Sequence, residues 1–281
     1  MTKANFLAIC YADIFSYPLT KDELNYWQIN DRRLKNIRSF TSALGTNGKF
    51  FFLKPRRKII DLRLKRANYT SEKLLFSKKI SYYLSFLPGV KMVALTGTLA
   101  MSNSDASDDI DLLIIASPNR IWTVRLLTTL FLDVLGVRRH PQDKRTNNKI
   151  CLNMFLDEDH LAFPAAEQNL YTAHEILQTR PLTNKDQTYQ KYLLKNKWVR
   201  EYLPYAYDHQ VEKLRNPKTK KNSTNLFFDF LEQLFYKLQF LYMKKKITKE
   251  KIEEGRIFFH PLPLNQIILD EYNKRARRYF S

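Results

Sequence analysis

Gly97-Thr98 and Asp109-Ile110-Asp111, with ten residues between them, are the parts of this sequence whose types and spacing suit chemistry. Glycine lets the backbone approach a ligand closely. A helix opening through Leu99-Ala100-Met101 would place unpaired amides and a positive dipole end beside the Thr98 hydroxyl, a natural seat for phosphate. Alternate residues of a strand share a face, so Asp109, Asp111 and Leu113 lie on one side and Ile110, Leu112 and Ile114 on the other. Two carboxylates at i and i+2 raise one another's pKa unless a cation compensates them. Magnesium answers that need, because it takes oxygen ligands from a carboxylate pair and from substrate phosphates. Two such ions can activate an attacking oxygen while stabilising a leaving pyrophosphate.

The elements that must position these residues are legible on either side. Val90–Thr96 is a short apolar run rich in β-formers that leads straight into Gly97, and the branched residues up to Ile115 continue the aspartate pair as a second strand. A helix over Ile121–Leu135 would pack on this sheet, with its Arg125 either reaching a phosphate or solvated. Lys149–Leu156 reads as a third strand whose central polar residue is Asn153, followed by the turn-like run Asp157-Glu158-Asp159.

A turn of this kind, followed by an Asp-x-Asp strand with hydrophobic neighbours, resembles the signature of the DNA polymerase beta-like nucleotidyltransferase superfamily. The resemblance implies that Gly97 and Thr98 hold the triphosphate of a nucleoside triphosphate and that Asp109 and Asp111 bind two Mg2+ ions. It also implies a third carboxylate on a later strand. Here that position is Asn153, which can orient a group through its carbonyl but cannot take a proton. Either two carboxylates suffice, or Asp157 substitutes, or activity is lost. The whole chain is similar to bacterial nucleotidyltransferase domain proteins that carry an N-terminal winged-helix-like module.

That module is expected over residues 1–68. Ala4–Ser16 has helical apolar spacing and ends before Tyr17-Pro18, since a residue preceding proline avoids the α region. Thr20-Lys21-Asp22-Glu23 fits a capping box. Asp31 can cap a third helix over Arg32–Leu44, which carries Arg32, Arg33, Lys35 and Arg38 away from its apolar face; after a Gly45–Gly48 turn, Phe50–Leu53 is a strand and Pro55-Arg56-Arg57-Lys58 a basic projection. The order of parts resembles a winged helix-turn-helix, whose third helix would enter a groove. Arg32, Arg33, Lys35, Arg38, Arg56 and Arg57 are then nucleic-acid contacts, or else the solvated basic face of a packing module.

A nucleotidyltransferase domain over 69–165 and a helical region over 166–281 complete the reading, α+β in class. In the last part Leu170–Ile176 opens a helix on which His174 and Glu175 could face an acceptor, Gln187–Tyr202 is anchored by Trp198, Leu214–Asn225 is a lysine-bearing linker, and two further helices cover Leu226–Met243 and Leu264–Tyr279. The first of these two has Phe227, Phe230, Leu231, Leu234, Leu238 and Leu241 at helical spacing and is expected to bury that stripe in a bundle.

Composition bounds the partners. Among 281 residues, 47 Lys and Arg stand against 28 Asp and Glu, a net charge of +19 that attracts polyanions, with RNA or DNA ahead of a membrane surface. With 44% hydrophobic residues the chain is globular rather than a disordered basic tail. Cys10 and Cys151 each sit in an apolar run and read as buried, reduced thiols. No uncharged run reaches a membrane span and the start lacks a cleavage pattern, so the expected place is the cytoplasm. The function expected is magnesium-dependent transfer of a nucleotidyl group from an NTP to an acceptor hydroxyl, on RNA such as tRNA, a small molecule or a protein. The alternative is a non-catalytic nucleic-acid-binding or regulatory protein with a degenerate domain.

Overall fold

Thr2 and Thr20 start the first two helices by the same device. Thr2 and Asn5 exchange side-chain and backbone hydrogen bonds ahead of α1 (Lys3–Ile14), and after β1 (Leu19–Thr20) the expected box of Thr20 and Glu23 opens α2 (Lys21–Tyr26). The structure, a computed structural model, describes residues 1–31, 40–212, 214, 226–244, 251–259 and 263–278. Most of the third helix expected over Arg32–Leu44, with Arg32, Arg33, Lys35 and Arg38, lies outside the described residues. Its last residues depart from a helix: Thr41–Ala43 is a single 3-10 turn, and Leu44 begins β2 (Leu44–Thr46). The reason is pairing, since Leu44 lies opposite Leu53 of β3 (Phe50–Leu53). β1 pairs with the other edge of β3, giving a three-stranded sheet in the order β1-β3-β2.

No linker separates this small sheet from the larger one. α3 (Ile59–Ser85) runs unbroken past residue 68, with Ile59 and Ile60 packed among Phe50 and Phe52 and with Ile80 and Leu84 in the core of the second sheet. That second sheet is built from β4 (Val90–Leu95), the one-turn α4 (Gly97–Ala100), β5 (Ile110–Ala116), the crossover helix α5 (Ile121–Val134) and β6 (Ile150–Asp157). It is completed from a part of the chain expected to be helical throughout. After α6 (Leu170–Gln178) comes β7 (Arg180–Asn184); after α7 (Thr188–Lys195), α8 (Pro204–Glu212) and α9 (Leu226–Lys244) come β8 (Lys251–Glu253) and β9 (Arg256–Phe258); α10 (Pro263–Arg277) ends the described chain. The sheet order is β7-β4-β5-β6-β9-β8, with β5 and β6 parallel and the other pairs antiparallel. The reading of 166–281 as wholly helical is therefore corrected. Two of its three strands are three residues long, too short for a period-2 pattern, and the five of β7, Arg180-Pro181-Leu182-Thr183-Asn184, include a proline that argues against a strand.

Each face of the sheet is covered by helices. Met92, Ala94, Leu113 and Ile115 point into a core shared with Phe6 and Ile9 of α1, Ala173 and Ile176 of α6 and Tyr272 of α10. Val93, Leu95, Leu112 and Ile114 point into the other, with Leu84 of α3 and Val124 and Leu132 of α5. α1 thus belongs to the same core as the large sheet. Asp13 at its end is buried between Arg56 (3.2 Å) and Arg275 of α10 (2.9 Å). Among the described residues no helix is long and apolar enough to cross a membrane.

Candidate active site

The turn after β4 is shaped by the strand beside it. Thr96 donates its amide to the Asp111 carbonyl at 3.0 Å, and the chain then turns through Gly97 at φ +62°. A Cβ at this position would stand 2.6 Å from Asp111 Oδ2, so a side chain is excluded both by the left-handed backbone and by the approach of the carboxylate. Thr98 donates its hydroxyl to Asp108 Oδ2 at 3.0 Å. The helix expected next is one turn long, which sums no appreciable macrodipole; what this turn offers an anion is its amides.

The loop from Ser102 to Asp109 is held from below. Lys73, buried on α3, donates its ammonium to the carbonyls of Asp105 and Asp108, and Asp108 also accepts the Asp105 amide at 2.8 Å. Burial lowers the Lys73 pKa while the carboxylates of Asp108, Asp109 and Asp105 oppose that shift. Asp109 leaves this loop just ahead of β5, and Asp111 is the second residue of the strand. Of the residues expected to share a face with Asp111, Leu113 lies in the core with α1 and α6, and Asp109 precedes the strand.

Opposite Asp111 across the parallel pair lies Cys151 rather than Asn153. One ligand atom each from Asp109, Asp111 and Cys151 lie within 4.8 Å of one another. Burial, reinforced by the charges of Asp111 and Asp109, pushes the Cys151 thiol far above its ordinary range, so it stays protonated and hydrogen-bonds Asp111. Arg139 donates to Asp109 Oδ2 and supplies a compensating cation. Asn153 is the extra residue of a β-bulge, between the pairs Leu112 with Leu152 and Leu113 with Met154. Its amide donates to Thr96 Oγ1 at 3.5 Å, so the bulge aims it across the end of β4. Asp157 pairs with Ala116 at the far end of β6, where it accepts the amides of Asn119 at 2.6 Å and Asp159 at 2.9 Å; it serves a turn and lies away from the carboxylate pair.

A carboxylate that sequence reasoning left open stands at the site instead. Glu175 of α6 lines a cavity of about 110 Å³ together with Thr96, Asn153, Tyr171 and Tyr192. Burial, and after it the charge of Asp111, pushes its pKa up to about 7. Its neighbour His174 points elsewhere, stacked on Tyr11 with ring centroids 3.8 Å apart. The pair His174-Glu175 was visible in the sequence, but which of the two faced the strands depends on how α6 crosses them.

The remaining predicted residues separate by place. Arg125 lies on the opposite side of the sheet, bonded to Gln239 and over the Phe259 ring, and burial lowers its pKa to about 10. Arg56 is engaged by Asp13 and by the Ser16 hydroxyl at 2.7 Å, whereas Arg57 and Lys58 are exposed. No family model, no curated protein and no solved structure matches the chain.

Proposed function

We propose that this protein is a magnesium-dependent nucleotidyltransferase of the polymerase beta-like kind, which moves a nucleotidyl group from a nucleoside triphosphate to an acceptor hydroxyl. The observation that carries the reading is the contact of the Gly97 turn with Asp111, which brings a phosphate-accepting backbone against a carboxylate pair. The donor set suits magnesium: two carboxylates are enough for an ion that also takes substrate phosphates, and a hard ion of this kind prefers their oxygens to the soft Cys151 sulfur. Bound there through Asp109 and Asp111, Mg2+ would neutralise phosphate charge. Arg139, now on Asp109, is the side chain placed to exchange its carboxylate for a phosphate oxygen.

The protein's own groups account for the proton. The acceptor oxygen forms a bond to the α-phosphorus, the bond from that phosphorus to the bridging oxygen breaks, and pyrophosphate leaves with the electron pair. The hydroxyl proton passes to Glu175, whose pKa of about 7 matches that of a general base working at neutral pH. Asn153 holds the acceptor through its amide group. In this reading Glu175, reaching in from a helix, does the work expected of a strand carboxylate at Asn153. The three-stranded sheet with α1 and α2 suits a winged-helix-like module, whose exposed Arg57 and Lys58 join the overall charge of +19 in favouring an RNA or DNA acceptor in the cytoplasm.

The competing reading is a degenerate, non-catalytic nucleotide- or nucleic-acid-binding domain, favoured by one observation: Arg139 already neutralises Asp109 without an ion. Calorimetric titration with each triphosphate and Mg2+ separates the two from a purely structural role. Asp109→Asn with Asp111→Asn is expected to abolish metal-dependent binding while the circular dichroism spectrum is unchanged. Unaltered binding by the double variant would remove the metal assignment.

A further inference from the structure

α9 has two apolar faces and buries one of them. Phe235, Tyr236 and Met243 pack on the core shared with α5, whereas Phe230 is 65% exposed, Leu238 57% and Leu241 64%, with Leu234 beside them at 39%. Positions 230, 234, 238 and 241 follow one another at helical spacing, so the four form a single stripe along the outside of the molecule. The helix cannot roll to hide it. Glu232 accepts the amides of Trp122 and Thr123 at the start of α5, and Gln239 donates to the Trp122 carbonyl, so turning the stripe inward would uncap α5 and leave those groups without their partners. We propose that this stripe docks on an anionic phospholipid surface, where α9 lies in the plane with Phe230 and its leucines against the acyl chains and Lys237 and Lys244 at the headgroups. The proposal is independent of the nucleotidyltransferase reading.

Charge selects the occupant. Lys237 and Lys244 stand three residues after Leu234 and Leu241, so both border the stripe on the same side, and both are exposed. The two acids of the helix are engaged elsewhere: Asp229 pairs with Arg120 at 2.7 Å, and Glu232 is buried on α5. The sequence repeats the sign on either side, with Lys218, Lys220 and Lys221 ahead of the helix and Lys245, Lys246 and Lys249 after it, in a chain of net charge +19. Apolar side chains bordered by cations match the boundary between acyl chains and anionic headgroups. Lysine stems are long enough to reach the headgroups while the leucines sit deeper. A second copy fits less well, because two lysine-bordered stripes would meet with both acids of each helix already engaged. Nucleic acid fits the lysines but not the stripe, since leucine offers no ring for a base to stack on.

Length and place agree with a surface helix. Its 19 residues reach about 28 Å, but Lys237 in the middle and the two acids rule out a span, which leaves the in-plane arrangement. α9 and α5 cover the face of the sheet opposite to α1 and α6. A docked surface therefore leaves α6 and the Glu175 cavity on the free side.

The test is co-sedimentation of the full chain with vesicles of phosphatidylcholine alone and of phosphatidylcholine with phosphatidylglycerol in equal parts, at low and high salt. Binding to the anionic vesicles should be saturable, should exceed binding to the neutral ones and should fall with salt. Leu234→Glu with Leu241→Glu should lower affinity for the anionic vesicles about 100-fold, and Lys237→Gln with Lys244→Gln about 10-fold at low salt. Both pairs are on the exposed side, so circular dichroism and the thermal midpoint should not move; Leu75→Glu, at a 70% exposed position of α3, should bind like the wild type. No binding to anionic vesicles, equal binding to the two compositions, or unchanged binding by the leucine variant overturns the proposal. A wild-type dimer in sedimentation equilibrium that the leucine variant dissociates also overturns it, because a second copy then covers the stripe. So does loss of RNA binding in the lysine variant with vesicle binding intact.

Discussion

At Gly97 one missing side chain permits both the turn and the approach of Asp111. Gly97→Ala puts a methyl group into the left-handed region at about 1–2 kcal/mol and against a carboxylate oxygen 2.6 Å away, so Asp111 must move. Thermal unfolding should show the lost stability, and magnesium-dependent triphosphate binding should fall with it. Glu175 makes a different prediction. As the proton acceptor it is dispensable for binding, so Glu175→Gln should cut turnover by about 10²–10⁴-fold with triphosphate affinity unchanged. Its pKa also has a stability consequence that can be read in the metal-free protein with chelator present. Unfolded, the carboxyl releases its proton near 4.5; folded, it keeps the proton to about 7. Between those values the native state holds more protons, so stability falls as pH rises, by up to on the order of 3 kcal/mol. Urea unfolding at pH 4 to 8 should show this slope in the wild type, and a flatter profile in Glu175→Gln.

Among the elements, α9 shows where periodicity misleads. Its apolar stripe predicted a buried face, yet Phe227, Phe230 and Leu241 are each at least 64% exposed, while the polar Glu232 and Gln239 are buried. Glu232 accepts the amides of Trp122 at 2.7 Å and Thr123 at 2.9 Å, capping the start of α5, and Gln239 donates to the Trp122 carbonyl at 2.8 Å. A hydrophobic pattern does not register a helix end that needs a cap. Glu232→Ala should cost about 0.5–2 kcal/mol in chemical denaturation, more than Leu241→Ala on the exposed side. The longer strands were legible because β4, β5 and β6 are short, largely apolar runs rich in β-formers, as strands covered on both faces are, and Thr20-Glu23 because capping is local chemistry. The bulge at Asn153 was not: it arises from the mismatch of two strands, and it leaves Asn153 without a partner on β5, past the pair of Asp111 with Cys151. Nor could the sequence alone show that α6 turns Glu175 toward the carboxylates and His174 away, since that is decided by packing on α1 and the sheet.

The molecule as a whole joins two sheets through one 27-residue helix and one continuous core, so the N-terminal elements line a cavity beside the Gly97 turn. Its charge of +19 is the other global property. If Arg57 and Lys58 each neutralise a phosphate, replacing both by alanine should weaken RNA binding and flatten the slope of log affinity against log salt by about 1.5. An unchanged slope would leave these two cations solvated and return the binding surface to other parts of the chain. The most direct measurement of the central claim is transfer itself. The purified protein is incubated with each α-labelled triphosphate, Mg2+ and, in turn, cellular RNA, protein and small-molecule fractions, and released pyrophosphate is assayed in parallel. Label should pass to one fraction with stoichiometric pyrophosphate, and the Asp109→Asn, Asp111→Asn double variant should give neither. Absence of both label and pyrophosphate with every triphosphate and every fraction would contradict the account.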